Sequence, residues 1–124
     1  MGQVLNNQET NRNAVSELAD ERTRFEMYYP PFAGAVAAEA GSVMCSYNKI
    51  NGVWSCENPV TLGKDFKKTA GFKGYVMSDW GATHSTSIMA GLDVVGLSLL
   101  PPCMVGSVWA LHTAYILDLD NSVT

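Results

Sequence analysis

The chain has 124 residues, 47% of them hydrophobic and 16% charged, and eight Lys and Arg against twelve Asp and Glu give a net charge of −4. That length suits one modest domain, and the apolar fraction excludes disorder as its main state. The acidic balance argues against tracking a phosphate backbone, so no nucleic-acid partner is expected.

Three cysteines, Cys45, Cys56 and Cys103, are too few for a disulfide-dense scaffold, and no Cys-x-x-Cys pair is present. Two histidines, His84 and His112, cannot build a histidine-rich metal site. All eight basic and ten of the twelve acidic residues lie within residues 1–93. From Val94 to Leu117 no Asp, Glu, Lys or Arg occurs, so the chain divides at Asp93.

The opening is polar from Asn6 onward and has no apolar run after a basic start, so it does not read as a secretory leader. Met1-Gly2 is followed by Asn6 where a myristoylation site needs Ser or Thr. Asp20 is placed to cap a helix, and Phe25, Tyr28, Tyr29 and Phe32 form an aromatic stripe at helical spacing, read as core packing. Pro30 and Pro31 divide that pattern. A first helix is expected to end near Tyr29 and a second to run from Pro31 to a stop at Gly41.

Residues 42–47 form a short apolar run that reads as a buried strand, followed by a turn at Asn51-Gly52. Asn58-Pro59 has the form of an N-cap with proline at the first helical position. Leu62 and Phe66 share one face of the helix that follows, Lys64, Lys67 and Lys68 supply a wet one, and Gly71 ends it. Residues 75–78 read as a second strand running into Asp79-Trp80-Gly81, and a last helix is expected over 86–90 with Ser85 as its cap. Strands alternating with helices indicate βα units of a parallel sheet.

Asp79 is the residue most able to carry chemistry. It stands where a buried strand runs out, the place at which parallel α/β folds bind ligands. There it is either a catalytic carboxylate or the cap of the next helix. The adjacent Trp80 suits a sugar ring, whose apolar CH face lies well on an indole. Asp79 with His84 gives only two ligands and makes no metal site.

The segment from Gly71 to Ser85, GFKGYVMSDWGATHS, closely resembles the nucleophile segment of family 3 glycoside hydrolases, the β-glucosidase and exo-glucanase family. The resemblance extends upstream through Gly41–Asn48 with Asn51-Gly52 and Cys56–Asn58, then Asp20–Thr23, Glu26–Tyr28 and Pro31-Phe32, and further back Asn7–Glu9 and Arg12. It covers about residues 5–93, with motifs in consistent order and spacing.

The resemblance implies a partial (β/α)8 TIM barrel of about two βα units over residues 1–93, then a divergent apolar tail over 94–124. It implies retaining hydrolysis of β-glucosides or short β-glucans, with Asp79 as nucleophile and Trp80, Tyr47 and Met44 lining the glucose subsite. Read from residue type alone, Tyr47 and Met44 suit a core better than a subsite. No cofactor or metal is implied. Cys45 and Cys56 are either a disulfide or two buried thiols.

Three departures stand out. The Lys-His pair expected before the Asn-Gln-Glu segment is absent, the first barrel strands are missing, and the acidic Met-Pro stretch expected after Asp93 is replaced by Val94–Ser98. None of Glu9, Glu17, Glu26, Glu39 or Glu57 matches the family's acid/base carboxylate. A fragment that is inactive alone is therefore expected, and a truncated, non-catalytic remnant is the alternative. The uncharged run 94–117 is long enough to span a bilayer, but Pro101-Pro102 and its polar residues speak against a membrane partner. Family members are often secreted, and with no leader in view the compartment and the oligomeric state are left open.

Overall fold

The computed structural model describes residues 4–85 and 88–96. In chain order these carry strand β1 (Ser16–Glu17), helix α1 (Glu21–Thr23) continuing as a π-wound segment (Arg24–Tyr28), and helix α2 (Pro30–Ala37). Strands β2 (Ser42–Cys45), β3 (Lys49–Ile50) and β4 (Val53–Trp54) follow, then a 3₁₀ turn over Ser55–Glu57. The π-wound helix α3 (Pro59–Thr69), strand β5 (Tyr75–Ser78) and a 3₁₀ turn over Ile88–Ala90 complete them.

Two small sheets result. β2 and β5 pair in parallel, with Ser42 opposite Tyr75 and Cys45 opposite Ser78. Val94 adds a parallel bridge to Met77 on the other side of β5. Between β2 and β5 the chain passes through the β3–β4 hairpin and α3, the crossover that parallel neighbours require. The second sheet places β3 between β1, parallel, and β4, antiparallel. Asn51 (φ 51°) and Gly52 (φ 85°) close its hairpin in the left-handed conformation that a tight two-residue turn needs.

Local signals set the helix starts. The Asp20 carboxylate accepts the Thr23 N–H at 2.7 Å. Asn58 Oδ1 accepts the N–H groups of Val60 and Thr61 at 3.0 and 3.2 Å, while its Nδ2 donates to the Ile50 carbonyl at 3.2 Å. One buried amide thus caps α3 and ties it to the hairpin. Leu62 and Phe66 face the core from α3 and pack with Val43, Cys45, Cys56, Phe72, Val76, Ala82 and Leu92. Val76 is fully buried at the centre of β5, a burial worth about 1.5–3 kcal/mol.

The second helix departs from expectation at both ends. It begins at Pro30, and it stops at Ala37 rather than Gly41. Glu39 takes the left-handed conformation at φ 58°, because Gly41 is already engaged as the start of the sheet: its carbonyl accepts the Tyr75 N–H at 3.2 Å. The aromatic stripe also fails to act as one face. Across the wider 24–28 winding Phe25 stays 38% exposed and meets Tyr29 edge-on at 4.9 Å. Tyr28 packs on the small cluster of Leu5, Ala19 and Ile50, while Phe32 packs against the main core.

The strand read over 42–47 ends at Cys45. Beyond it Ser46, Asn48 and Ser55 form a buried polar knot, with Ser46 Oγ donating to Asn48 Oδ1 at 2.5 Å and lying 3.1 Å from Ser55 Oγ. The wet face expected of α3 is only partly wet. Lys67 Nζ reaches both Asp93 oxygens at 2.6 Å, and Asp93 Oδ2 also accepts the Val76 N–H at 2.7 Å, which holds residues 93–96 beside β5. Of the helix expected over 86–90, residues 86 and 87 lie outside the described residues. So do Cys103 and the uncharged run from residue 97. Among the described residues no helix is long and apolar enough to cross a membrane.

Candidate functional site

Parallel pairing without offset brings the carboxyl ends of β2 and β5 together. Because Cys45 faces Ser78, the next amide, Asp79 N–H, donates to the Cys45 carbonyl at 3.1 Å. Asp79 therefore stands one residue past the sheet, half-buried. Its carbonyl accepts the Ala82 N–H at 3.1 Å, and its Oδ1 accepts the Trp80 N–H at 2.7 Å. Gly81 at φ 76° permits this tight reversal. Trp80 is left 67% exposed, an indole face standing free beside a carboxylate.

Tyr47 comes to Asp79 from the other strand. It lies two residues past the end of β2, close enough for the Asp79 carboxylate to act on its phenol. Burial raises the Tyr47 phenol above its ordinary range, and the hydrogen bond to Asp79 and the negative charge there push the same way. The Arg12 guanidinium, 4.1 Å from the Tyr47 ring centroid, opposes that shift. Arg12 is itself held by Glu9 at 2.9 Å. The arrangement is a carboxylate at a strand end, with a phenol beside it and a cation over that ring.

Of the residues singled out from the sequence, Asp79, Tyr47 and Trp80 stand together. Met44 lies opposite Met77, one rung back from the strand end, and also borders an apolar crevice with Tyr29, Phe32 and Phe66 that includes neither Asp79 nor Tyr47. Cys45 and Cys56 are bonded to each other, with Cα atoms 5.1 Å apart, so the segment carrying Tyr47 is a covalently closed loop. Among the described residues no three His, Cys, Asp or Glu side chains gather as metal ligands. Glu9 is engaged with Arg12, and Glu57 accepts the His84 N–H at 2.7 Å.

Sequence reasoning assigned no role to Arg12 or to Trp54. Arg12 precedes Tyr47 by 35 positions in the chain, and no periodicity links the two. The stacking of Trp54 on His84, ring centroids 3.7 Å apart, likewise joins the end of β4 to a distant loop with no local signal.

Comparison with known proteins bears on this geometry. The profile of the glycosyl hydrolase family 3 N terminal domain matches residues 2–100. The chain is 57% identical over 93 residues to the beta-glucosidase cel3A of Pyricularia oryzae, covering 73% of this chain and 13% of that protein. It is 54% identical over 93 residues to a probable beta-glucosidase L of Aspergillus terreus, with the same coverage of 73% and 13%. Among solved structures, the beta-D-glucoside glucohydrolase of Trichoderma reesei superposes with a TM-score of 0.74 at 48% identity, over 80% of this chain and 14% of that one. A beta-glucosidase of Streptomyces venezuelae, solved with D-glucose, superposes with a TM-score of 0.73 at 43% identity, over 78% and 12%. The chain thus spans about an eighth of the length of the two curated relatives named here, at 13% of each.

Proposed function

Because the chain belongs to the glycosyl hydrolase family 3 N-terminal domains, we propose that it is a fragment of a retaining β-glucosidase-type hydrolase that cleaves O-glycosyl bonds of β-glucosides or short β-glucans. In this reading β2, α3 and β5 are consecutive βα units of a (β/α)8 barrel, whose active site lies at the carboxyl ends of its strands. The observation that carries the proposal is the Asp79 carboxylate at the end of β5, held beside the end of β2 by its N–H on the Cys45 carbonyl at 3.1 Å.

Asp79 attacks the anomeric carbon. The C–O bond to the leaving alcohol breaks as the new ester bond forms, and water later cleaves that ester. The Trp80 N–H on Asp79 Oδ1 at 2.7 Å orients the attacking carboxylate, while Trp80 offers its indole to the apolar face of the glucose ring. Met44, one rung back on β2, is assigned to the same subsite by the family resemblance alone. The alcohol leaves with a proton from a second carboxyl group, which retaining chemistry places about 5–5.5 Å from the first. Glu9 and Glu57 already have partners in Arg12 and the His84 amide. None of Glu9, Glu17, Glu26, Glu39 or Glu57 matches the family's acid/base carboxylate, so in this reading that group comes from a part of the protein beyond this chain, and the fragment is inactive alone.

The test is a chimera in which residues 5–96 of this chain replace the matching segment of the Pyricularia oryzae relative, compared with its Asp79→Asn variant. Asn keeps the size and the acceptor but loses the anion. Turnover should fall by about 10⁴-fold or more, while stability moves by about 1 kcal/mol or less. In an Asp79→Gly variant, which vacates the space of the carboxylate, azide should restore part of the turnover and give an inverted glycosyl azide. Retained turnover in the Asn variant refutes the assignment.

A further inference from the structure

We propose that Trp54 and Glu57 are positioning residues that clasp His84 and so fix the loop running from Asp79 through Trp80. That loop, Asp79-Trp80-Gly81-Ala82-Thr83-His84, has no regular structure of its own, so its two ends decide where it lies. The leading end is fixed by Asp79 N–H on the Cys45 carbonyl at 3.1 Å. The trailing end is fixed twice. The His84 amide donates to Glu57 Oε1 at 2.7 Å, and the His84 ring lies on Trp54 at 3.7 Å with the ring planes only 16° apart.

Both anchors stand at the rim of one covalent ring. Cys45 and Cys56 close the segment that holds Cys45, Tyr47 and Trp54, and Glu57 follows Cys56 directly. The hairpin inside that ring pairs Lys49 with Trp54. Holding the loop to this ring at both ends keeps Trp80 in a fixed place relative to the Asp79 carboxylate and the Tyr47 hydroxyl. Ala82, fully buried between the anchors, adds a short apolar peg.

Trp54 has an obvious rival role as a stacking platform for sugar, and the geometry speaks against it. The Lys49 ammonium stands 4.3 Å from the centroid of the same ring on which His84 lies at 3.7 Å. A cation and an imidazole at those distances already occupy this half-buried indole. Among the described residues, Trp80 is the indole left open. The proposal rests on the reading of Asp79 as nucleophile for its catalytic meaning, whereas the clasp itself is a matter of structure.

Amide hydrogen exchange on the full chain tests it without reference to catalysis. Trp54→Leu and Glu57→Ala remove the stack and the acceptor, whereas Trp54→Phe and Glu57→Gln keep a ring and an oxygen in place. The first pair should lose tenfold or more of the protection at the Ala82 and His84 amides, with the Val76 and Ser78 amides unchanged. The second pair should retain most of it. Unchanged protection at Ala82 and His84 in the first pair overturns the proposal. So does a loss shared by Val76 and Ser78 in all four variants, because that describes general loosening. If the exchange pattern holds while Asp79→Asn keeps its turnover, the clasp stands and the nucleophile reading fails.

Discussion

Replacing Gly74 by Ala should break the strand pairing on which the site depends, while Gly41→Ala should leave it intact. A Cβ at Gly74 would fall on the Gly41 carbonyl oxygen and stand 2.7 Å from both the Gly41 carbonyl carbon and Phe72 Cζ. The Phe72 ring is buried against Phe66 at 4.6 Å and has little room to swing away. The carbonyl is backbone, and it accepts the Tyr75 N–H that opens the β2–β5 pairing. Overpacking of this kind costs about 1–3 kcal/mol, and a lost or stretched Tyr75–Gly41 hydrogen bond adds about 1 kcal/mol. A Cβ at Gly41 meets nothing within 4 Å, so Gly41→Ala should gain about 0.4–1 kcal/mol by restricting the unfolded chain. Urea denaturation followed by far-UV circular dichroism should separate the two variants by about 3 kcal/mol. Two variants within about 1 kcal/mol of each other would falsify the close approach of residues 41 and 74.

Asn58→Ala removes the cap of α3 and leaves the Ile50 carbonyl without its amide donor, so the same denaturation should show a loss of about 2–3 kcal/mol. Alkaline titration of ¹³Cζ-labelled tyrosine should find the Tyr47 phenol above its ordinary value, lowered by Asp79→Asn and raised further by Arg12→Gln. A raised folded-state pKa favours the neutral phenol, so this contribution is complete below the unfolded value of about 10 and is lost as pH rises through the folded value. Tyr47→Phe should therefore flatten the alkaline fall in stability, and an unchanged fall would remove Tyr47 as its source.

What the sequence displayed was whatever acts over a few residues. The Asp20 cap, the Asn51-Gly52 turn and the Asn58-Pro59 start of α3 are each decided by one side chain and its nearest amides, and each stands where its residue type places it. The two site-bearing strands were visible as short apolar runs, and their parallel pairing followed from the helix between them. Long-range partners left no trace. Arg24 and Asp65, 41 positions apart, meet at 3.3 Å in the core with the Tyr29 hydroxyl on the same carboxylate oxygen at 2.8 Å. That burial, with the neighbouring carboxylate, holds the Tyr29 phenol far above its ordinary range. The parallel pairing of two-residue β1 with β3 is equally non-local. Gly41 misled because a glycine after a helical run fits a helix stop, yet here it begins a strand, and Glu39 makes the turn. At the site, Asp79 and Trp80 were legible from their place at a strand end and from family resemblance, whereas Arg12 over Tyr47 and Trp54 on His84 arise only from the fold.

The most direct test of the central claim is to trap the glycosyl-enzyme. The chimera carrying residues 5–96 is treated with a 2-deoxy-2-fluoro-β-glucosyl fluoride, whose fluorine at C2 slows the second step and lets the ester accumulate. Digestion and mass spectrometry of the inactivated protein should place the fluoroglucosyl group on Asp79, in the peptide that also contains Trp80. A label on any other carboxylate, or full inactivation with Asp79 unmodified, contradicts the account.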